Sequence, residues 1–112
     1  MQQVSTPAMT DMIETLPTPE ESLAEAHRRL ARVLRRGELV WIVEERYDAP
    51  HTTWYIDAVR LGAQGRWVRQ RHRYDAQAET LYFLGERPLS DQEFRAARQN
   101  GTLFDVAAWQ DQ

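Results

Sequence analysis

The sequence contains no cysteine, no lysine and no long apolar run. Without cysteine the chain has no disulfide, no thiol nucleophile and no cysteine-ligated zinc site. No apolar stretch reaches the roughly 18–20 residues that a membrane-spanning helix requires. Residues 1–22 also lack the basic start and the apolar centre of a secretory signal. These absences predict a cytoplasmic protein.

Side chains suited to catalysis are scarce as well. The three serines lie in a polar N-terminal stretch or in the first turns of predicted helices, so a Ser-His-Asp arrangement has no nucleophile. There is no glycine-rich phosphate-binding loop. The histidines, His27, His51 and His72, match no known spacing of metal ligands. We therefore expect a protein that is not an enzyme and binds neither metal nor cofactor.

The residues that are present are typical of one folded domain. The chain has 112 residues, of which 42% are hydrophobic, and it includes four Trp, four Tyr and three Phe. This composition is too apolar and too aromatic for a disordered protein. A chain of this length buries about 60–70% of its unfolded surface, which suffices for a single core.

Charge is distributed in blocks. The net charge is −3 and the isoelectric point is near 5.6, which argues against bulk electrostatic capture of nucleic acid. All 14 basic residues are arginine, and segments 28–36 and 58–74 hold five each. The first block fits the solvated face of a helix, whereas the second falls on predicted strands.

A flexible N-terminal tail is predicted over residues 1–17, ahead of a single domain at 18–112, because the tail has no clear hydrophobic period. A helix then begins with Thr18 as N-cap, Pro19 in the first turn and Glu21 completing a capping box. Gly37 is a natural stop. Apolar residues at helical spacing form one stripe on this helix: Leu23, Ala26, Leu30, Val33 and Leu34.

Four strand-like runs follow, at residues 39–47, 53–61, 66–74 and 79–84. The short connections suit hairpins and leave no room for a crossover helix, which indicates a four-stranded antiparallel meander. Ser90 and Glu93 form a second capping box, and the helix they begin ends at residues 100–101. Segment 103–109 fits either a short helix or an edge strand. The predicted fold is α+β, in the order α-β-β-β-β-α, with an N-terminal and a C-terminal helix packed on one face.

Alternation along the strands assigns residues to two faces of the sheet. The first face is predicted to form the core under the N-terminal helix, with Phe94, Leu103 and Trp109 as further cover. It comprises Leu39, Trp41, Val43, Trp54, Ile56, Ala58, Val68, Leu81 and Phe83.

The second face mixes aromatic, aliphatic and arginine side chains, which is unusual for a solvated surface. Its candidate functional residues are Tyr55, Trp67, Arg69, Arg71, Arg73, Tyr82 and Leu84. Three interpretations remain open. The arginines pair with Asp57 and Glu44 across strands, the face is a protein interface, or the aromatics stack nucleobases while the arginines hold phosphates.

Tyr, Trp and Arg are the residue types enriched at interface hot spots, and the acidic flanking segment 37–57 disfavours a polyanion. The sequence therefore predicts a non-catalytic protein-interaction module or accessory subunit that binds a protein partner or self-associates as a homodimer. The alternative prediction is a single-stranded nucleic-acid-binding protein that uses the same face. No membrane association is expected.

Overall fold

The computed structural model describes residues 16–112, so the tail predicted over residues 1–17 lies almost wholly outside the described residues. The predicted α+β class and the order of helix, meander and C-terminal helix are confirmed. The helices are α1 (Pro19–Arg32), α2 (Asp91–Asn100) and α3 (Val106–Gln110), and the strands are β1 (Trp41–Asp48), β2 (Thr53–Leu61), β3 (Trp67–Asp75), β4 (Thr80–Pro88) and β5 (Thr102–Leu103). Within residues 16–112, none of these helices has the length and apolarity to cross a membrane.

Both predicted capping boxes are present. The hydroxyl of Thr18 accepts a hydrogen bond from the Glu21 backbone at 3.1 Å, and the Glu21 carboxylate accepts one from the Thr18 N–H at 2.8 Å. Ser90 and Glu93 make the same reciprocal pair at the start of α2, with both bonds at 3.1 Å. Helix α1 ends at Arg32, before Gly37, whose positive φ serves the turn that leads to the sheet.

The strands form one antiparallel sheet in the order β4-β3-β2-β1-β5. Among residues 16–112, the nine-residue β4 is therefore one edge, and the two-residue β5 is the other. Segment 103–109, left open between helix and strand, contains part of each. Leu103 pairs with Trp41 of β1, and α3 follows.

Helices α1 and α3 cover the first face, defined as the side of the sheet that carries Ile56 and Ala58. The Gln110 side chain of α3 donates to the Ala31 and Leu34 carbonyls at 2.9 and 3.0 Å, which ties the two helices together. Burial of each large side chain there stabilises the fold by about 1.5–3 kcal/mol. The core cluster includes Ala26, Leu30, Ala31, Leu34, Val40, Ile42, Ile56, Ala58, Tyr74, Phe104 and Val106.

The side chains of strand β1 face the opposite sides of the sheet from those predicted. Val40 and Ile42 are buried in the core, whereas Trp41 lies on the opposite side, 5.7 Å from the Trp67 ring and 5.9 Å from the Phe94 ring. Every residue from 39 to 43 is apolar, so alternation alone carries no information on which side faces the core. The predicted core positions of Leu39, Trp41 and Val43 are therefore wrong.

The predicted burial of Phe83 is also wrong. Its ring lies on the first face, beside His72 at 5.6 Å, yet the residue is 57% exposed. Strand β4 is the edge of the sheet, and Phe83 lies beyond the core cluster that α1 covers. Leu81, two residues earlier, does pack against the core as predicted.

Helix α2 was predicted to pack on the same face as α1, but it contacts the other side of the sheet. Phe94, predicted to cover the core, instead stacks on Trp67 with 4.3 Å between ring centroids. Leu103, also predicted as cover, is 58% exposed, while Trp109 packs against the core as expected. One end of the second face is consequently covered by α2, and the end nearer the β3–β4 turn is left open.

Candidate interaction surface

The second face, the side that carries Arg69, Arg71 and Arg73, brings together the residues singled out from the sequence. Cross-strand pairing places Tyr55 opposite Arg73, and Arg73 opposite Tyr82. Leu84 lies next to Arg71 at the rim of a shallow depression of about 540 Å³. Trp67 is the exception, because it is half-buried against Phe94 of α2.

A buried carboxylate organises the centre of this face. Asp57, whose side chain is only 4% exposed, accepts hydrogen bonds from Arg69 Nε at 2.7 Å and from Arg71 Nε at 2.8 Å. Arg69 also reaches Glu44 at 3.0 Å. Burial by itself raises the pKa of Asp57, but the hydrogen bonds and positive charges of the two arginines outweigh it and hold that pKa below its ordinary value. Arg69 and Arg71 therefore neutralise Asp57 and are not free cations.

Two further arginines of the face lie over aromatic rings. The Arg73 guanidinium is 4.6 Å from the centroid of the Tyr82 ring, and that of Arg46 is 4.5 Å from the Tyr55 ring. Both distances are within the range of cation–π attraction. Arg73 makes no salt bridge with any residue from 16 to 112. It is thus held at the open end of the face without a carboxylate partner there.

Next to Arg73, strand β4 exposes three consecutive apolar residues. Tyr82, Phe83 and Leu84, here called the β4 patch, are 38%, 57% and 45% exposed. Sequence analysis missed Phe83 as a surface residue, although one signal was available. The last strand of a meander is an edge strand unless the chain returns to pair with it.

The direction of the unpaired backbone groups of β4 follows from the hydrogen-bond pattern. The Leu89 N–H bonds to the Trp67 carbonyl at 3.0 Å, and bonded pairs alternate along an antiparallel ladder. The next bonded positions of β3 are therefore residues 69, 71 and 73, and Tyr82 is the partner of Arg73. Since Tyr82 turns its N–H and C=O towards β3, Leu81 and Phe83 turn theirs to the open side.

Features that block pairing with another chain are present only in the second half of this edge. A bulge at Leu84–Gly85, where Gly85 has φ of +142°, interrupts the strand, and Pro88 at its end has no N–H. Bulges, prolines and charges are the usual devices that block edge pairing. Residues 80–84 contain none of the charges or prolines.

His72 is buried behind the β4 patch. Burial, aided by the positive charge of Arg60, lowers its pKa to about 4, so the ring is neutral at pH 7. Its Nε2 has no hydrogen-bond partner among the described residues. The neutral ring therefore packs beside Phe83, its cross-strand neighbour.

Within residues 16–112, no group of three or more His, Cys, Asp and Glu side chains is arranged to hold a metal ion. The His51 ring and the Asp48 carboxylate form a pair at 2.8 Å. Comparison with protein-family models, with curated proteins and with solved structures finds no match to this chain. The surface itself is therefore the basis for assigning a function.

Proposed function

We propose that this protein is a non-catalytic interaction module or accessory subunit that binds a protein partner at the β4 patch and the adjoining open end of the second face. The observation that carries the proposal is the run of three exposed apolar residues, Tyr82 to Leu84, on an edge strand whose outer side has no partner strand among residues 16–112. Tyr82 and Leu84 border the second face and Phe83 the first, so apolar side chains are exposed on both sides of this edge. Exposed apolar surface with a polar rim is typical of protein-binding sites. A second copy of the chain is one partner of this kind. A reducing, cytoplasmic setting is part of the proposal, and a chain without cysteine is compatible with it.

Nucleic-acid binding is less well supported by the same geometry. A phosphate-binding row needs free guanidinium groups, but Arg69 and Arg71 are both bonded to Asp57. Trp67, one of the rings proposed to stack bases, is stacked on Phe94 instead. Of the three arginines in the row, this leaves Arg73, which lies over an aromatic ring. Arginine and tyrosine are both enriched at protein interfaces, so this pair fits protein binding as well as nucleic-acid binding.

Site-specific photo-crosslinking in the native host tests the proposal. Full-length protein carries benzoyl-phenylalanine in place of Tyr82 or Leu84, and matched controls carry it at the exposed Gln64 and Gln92. We expect discrete protein adducts from positions 82 and 84 and none from the controls. Equal labelling at all four positions contradicts the proposal. Adducts that disappear on nuclease treatment would favour nucleic-acid binding.

A further inference from the structure

We infer that the partner of the β4 patch is an extended segment of another protein that adds to the sheet as a sixth strand, along residues 80–84. The inference rests on the proposed function and deepens it by naming the mode of binding and the chemistry of the ligand. Strand addition uses backbone groups for affinity and alternate side chains for specificity.

The backbone of β4 offers the required groups. Leu81 and Phe83 direct their N–H and C=O away from β3, because the residue between them, Tyr82, is the one that bonds to Arg73. The bulge at Leu84–Gly85 ends this regular edge. The added strand is therefore short, about five residues, and its complex is of the weak, transient class.

The side chains on the two sides of this edge differ, and they define the ligand. On the first face the added strand meets Leu81 and Phe83, which are apolar. On the second face it meets Tyr82 and the Arg73 guanidinium above that ring, which has no carboxylate partner among residues 16–112. Strand residues alternate between faces. The ligand is accordingly a segment in which apolar residues alternate with acidic ones.

Arginines continue along the second face beyond Tyr82. Arg71 lies one bonded pair further along β3, with its side chain 53% exposed while it holds Asp57. Arg87 pairs with Glu93 at 3.0 Å at the far end of β4. Both of these arginines are bonded to carboxylates, so the attraction for an acidic ligand rests on Arg73.

The test selects ligands without assuming their sequence. A phage-displayed library of random twelve-residue peptides is selected on the full-length protein. We expect enriched peptides to alternate apolar and acidic residues over about five positions. Synthetic copies are then titrated against the wild type, Phe83→Ala, Phe83→Pro and Arg73→Gln.

Phe83→Ala and Phe83→Pro form the matched pair, since both remove the ring and only proline removes the outward N–H. We expect Phe83→Pro to bind about tenfold more weakly than Phe83→Ala, and Arg73→Gln to lose about fivefold with a flatter salt dependence. If Phe83→Pro does not fold, the backbone N–H groups of the peptide are methylated one at a time instead. Strand addition predicts that methylation weakens binding at alternate peptide positions.

Three results would overturn the inference. Peptides that bind Phe83→Pro as well as Phe83→Ala exclude backbone pairing, and a library without enriched peptides excludes an accessible strand site. A wild-type dimer in sedimentation that Phe83→Pro dissociates assigns the edge to a second copy of the chain. Photo-crosslinking from position 82 is a separate measurement. If it gives protein adducts while the peptide tests fail, the proposed interaction surface stands and only strand addition is excluded.

Discussion

The guanidinium of Arg73 lies over the ring of Tyr82, 4.6 Å from its centroid, across the pair of β3 and β4. This contact places a positive charge above the edge strand on the second face, while the exposed Phe83 lies on the first face of the same strand. The neighbouring arginines differ in that Asp57 holds them in place. The second face is therefore divided into an ion-paired centre and an open margin with a cation and apolar side chains.

Truncation of Phe83 tests the position of the β4 patch relative to the core. Burial under α1 would make Phe83→Ala cost about 3–5 kcal/mol, whereas an exposed ring makes the cost about 1 kcal/mol or less. The structure predicts the smaller value, because Phe83 is 57% exposed. Ile56→Ala is the matched comparison at a fully buried site, with an expected cost of about 2–5 kcal/mol. Urea unfolding measures both, and equal costs would contradict the assignment.

The ion-paired centre is predicted to stabilise the fold through Asp57. The double variant Arg69→Gln with Arg71→Gln leaves this carboxylate buried without a counter-ion, at a cost of about 3 kcal/mol at pH 7. Addition of Asp57→Asn to that variant should restore part of the loss, because it removes the unpaired charge. Further destabilisation by Asp57→Asn would show that the arginines are not its main partners.

The same carboxylate gives stability a defined acid dependence. Its pKa is lowered in the folded state, so the stabilisation is complete above the unfolded pKa near 3.8 and is lost as pH falls through the folded value. Asp57→Asn should therefore flatten the stability profile below about pH 4. An unchanged slope in that range would contradict the pairing.

His72 predicts a separate transition at higher pH. Its pKa falls from 6.5 to about 4 on folding, so protons bind the unfolded chain more strongly. Stability is full above about pH 6.5 and declines towards pH 4, by about 2–3 kcal/mol between pH 7.5 and 4.5. Urea unfolding across this range measures the decline, and His72→Gln should remove most of it. A wild-type profile that is flat between pH 7 and 5 would contradict the buried, neutral ring.

Local signals in the sequence predicted local structure well. The boxes of Thr18 with Glu21 and Ser90 with Glu93 are confirmed because each depends on residues within one turn. The arginine row of β3 was also visible, since alternate residues of a strand share a face.

Features that depend on tertiary packing could not be predicted from capping motifs or from alternation along the strands. The orientation of β1 is set by the contacts of Trp41 with Trp67 and Phe94, which are distant in sequence. The bulge beside Gly85 shifts the face of every residue after it, and no alternation pattern announces it. The exposure of Phe83 follows from its place on the edge strand β4, outside the core cluster.

Residue-resolved amide hydrogen exchange tests the central claim, that the open edge of β4 is the binding surface, most directly. The exchange is measured on the free protein and after addition of the partner identified by photo-crosslinking. We predict that the Leu81 and Phe83 amides exchange rapidly in the free protein and become protected in the complex, while the Tyr82 amide is protected in both. Partner-induced protection elsewhere, with Leu81 and Phe83 unchanged, would contradict the claim.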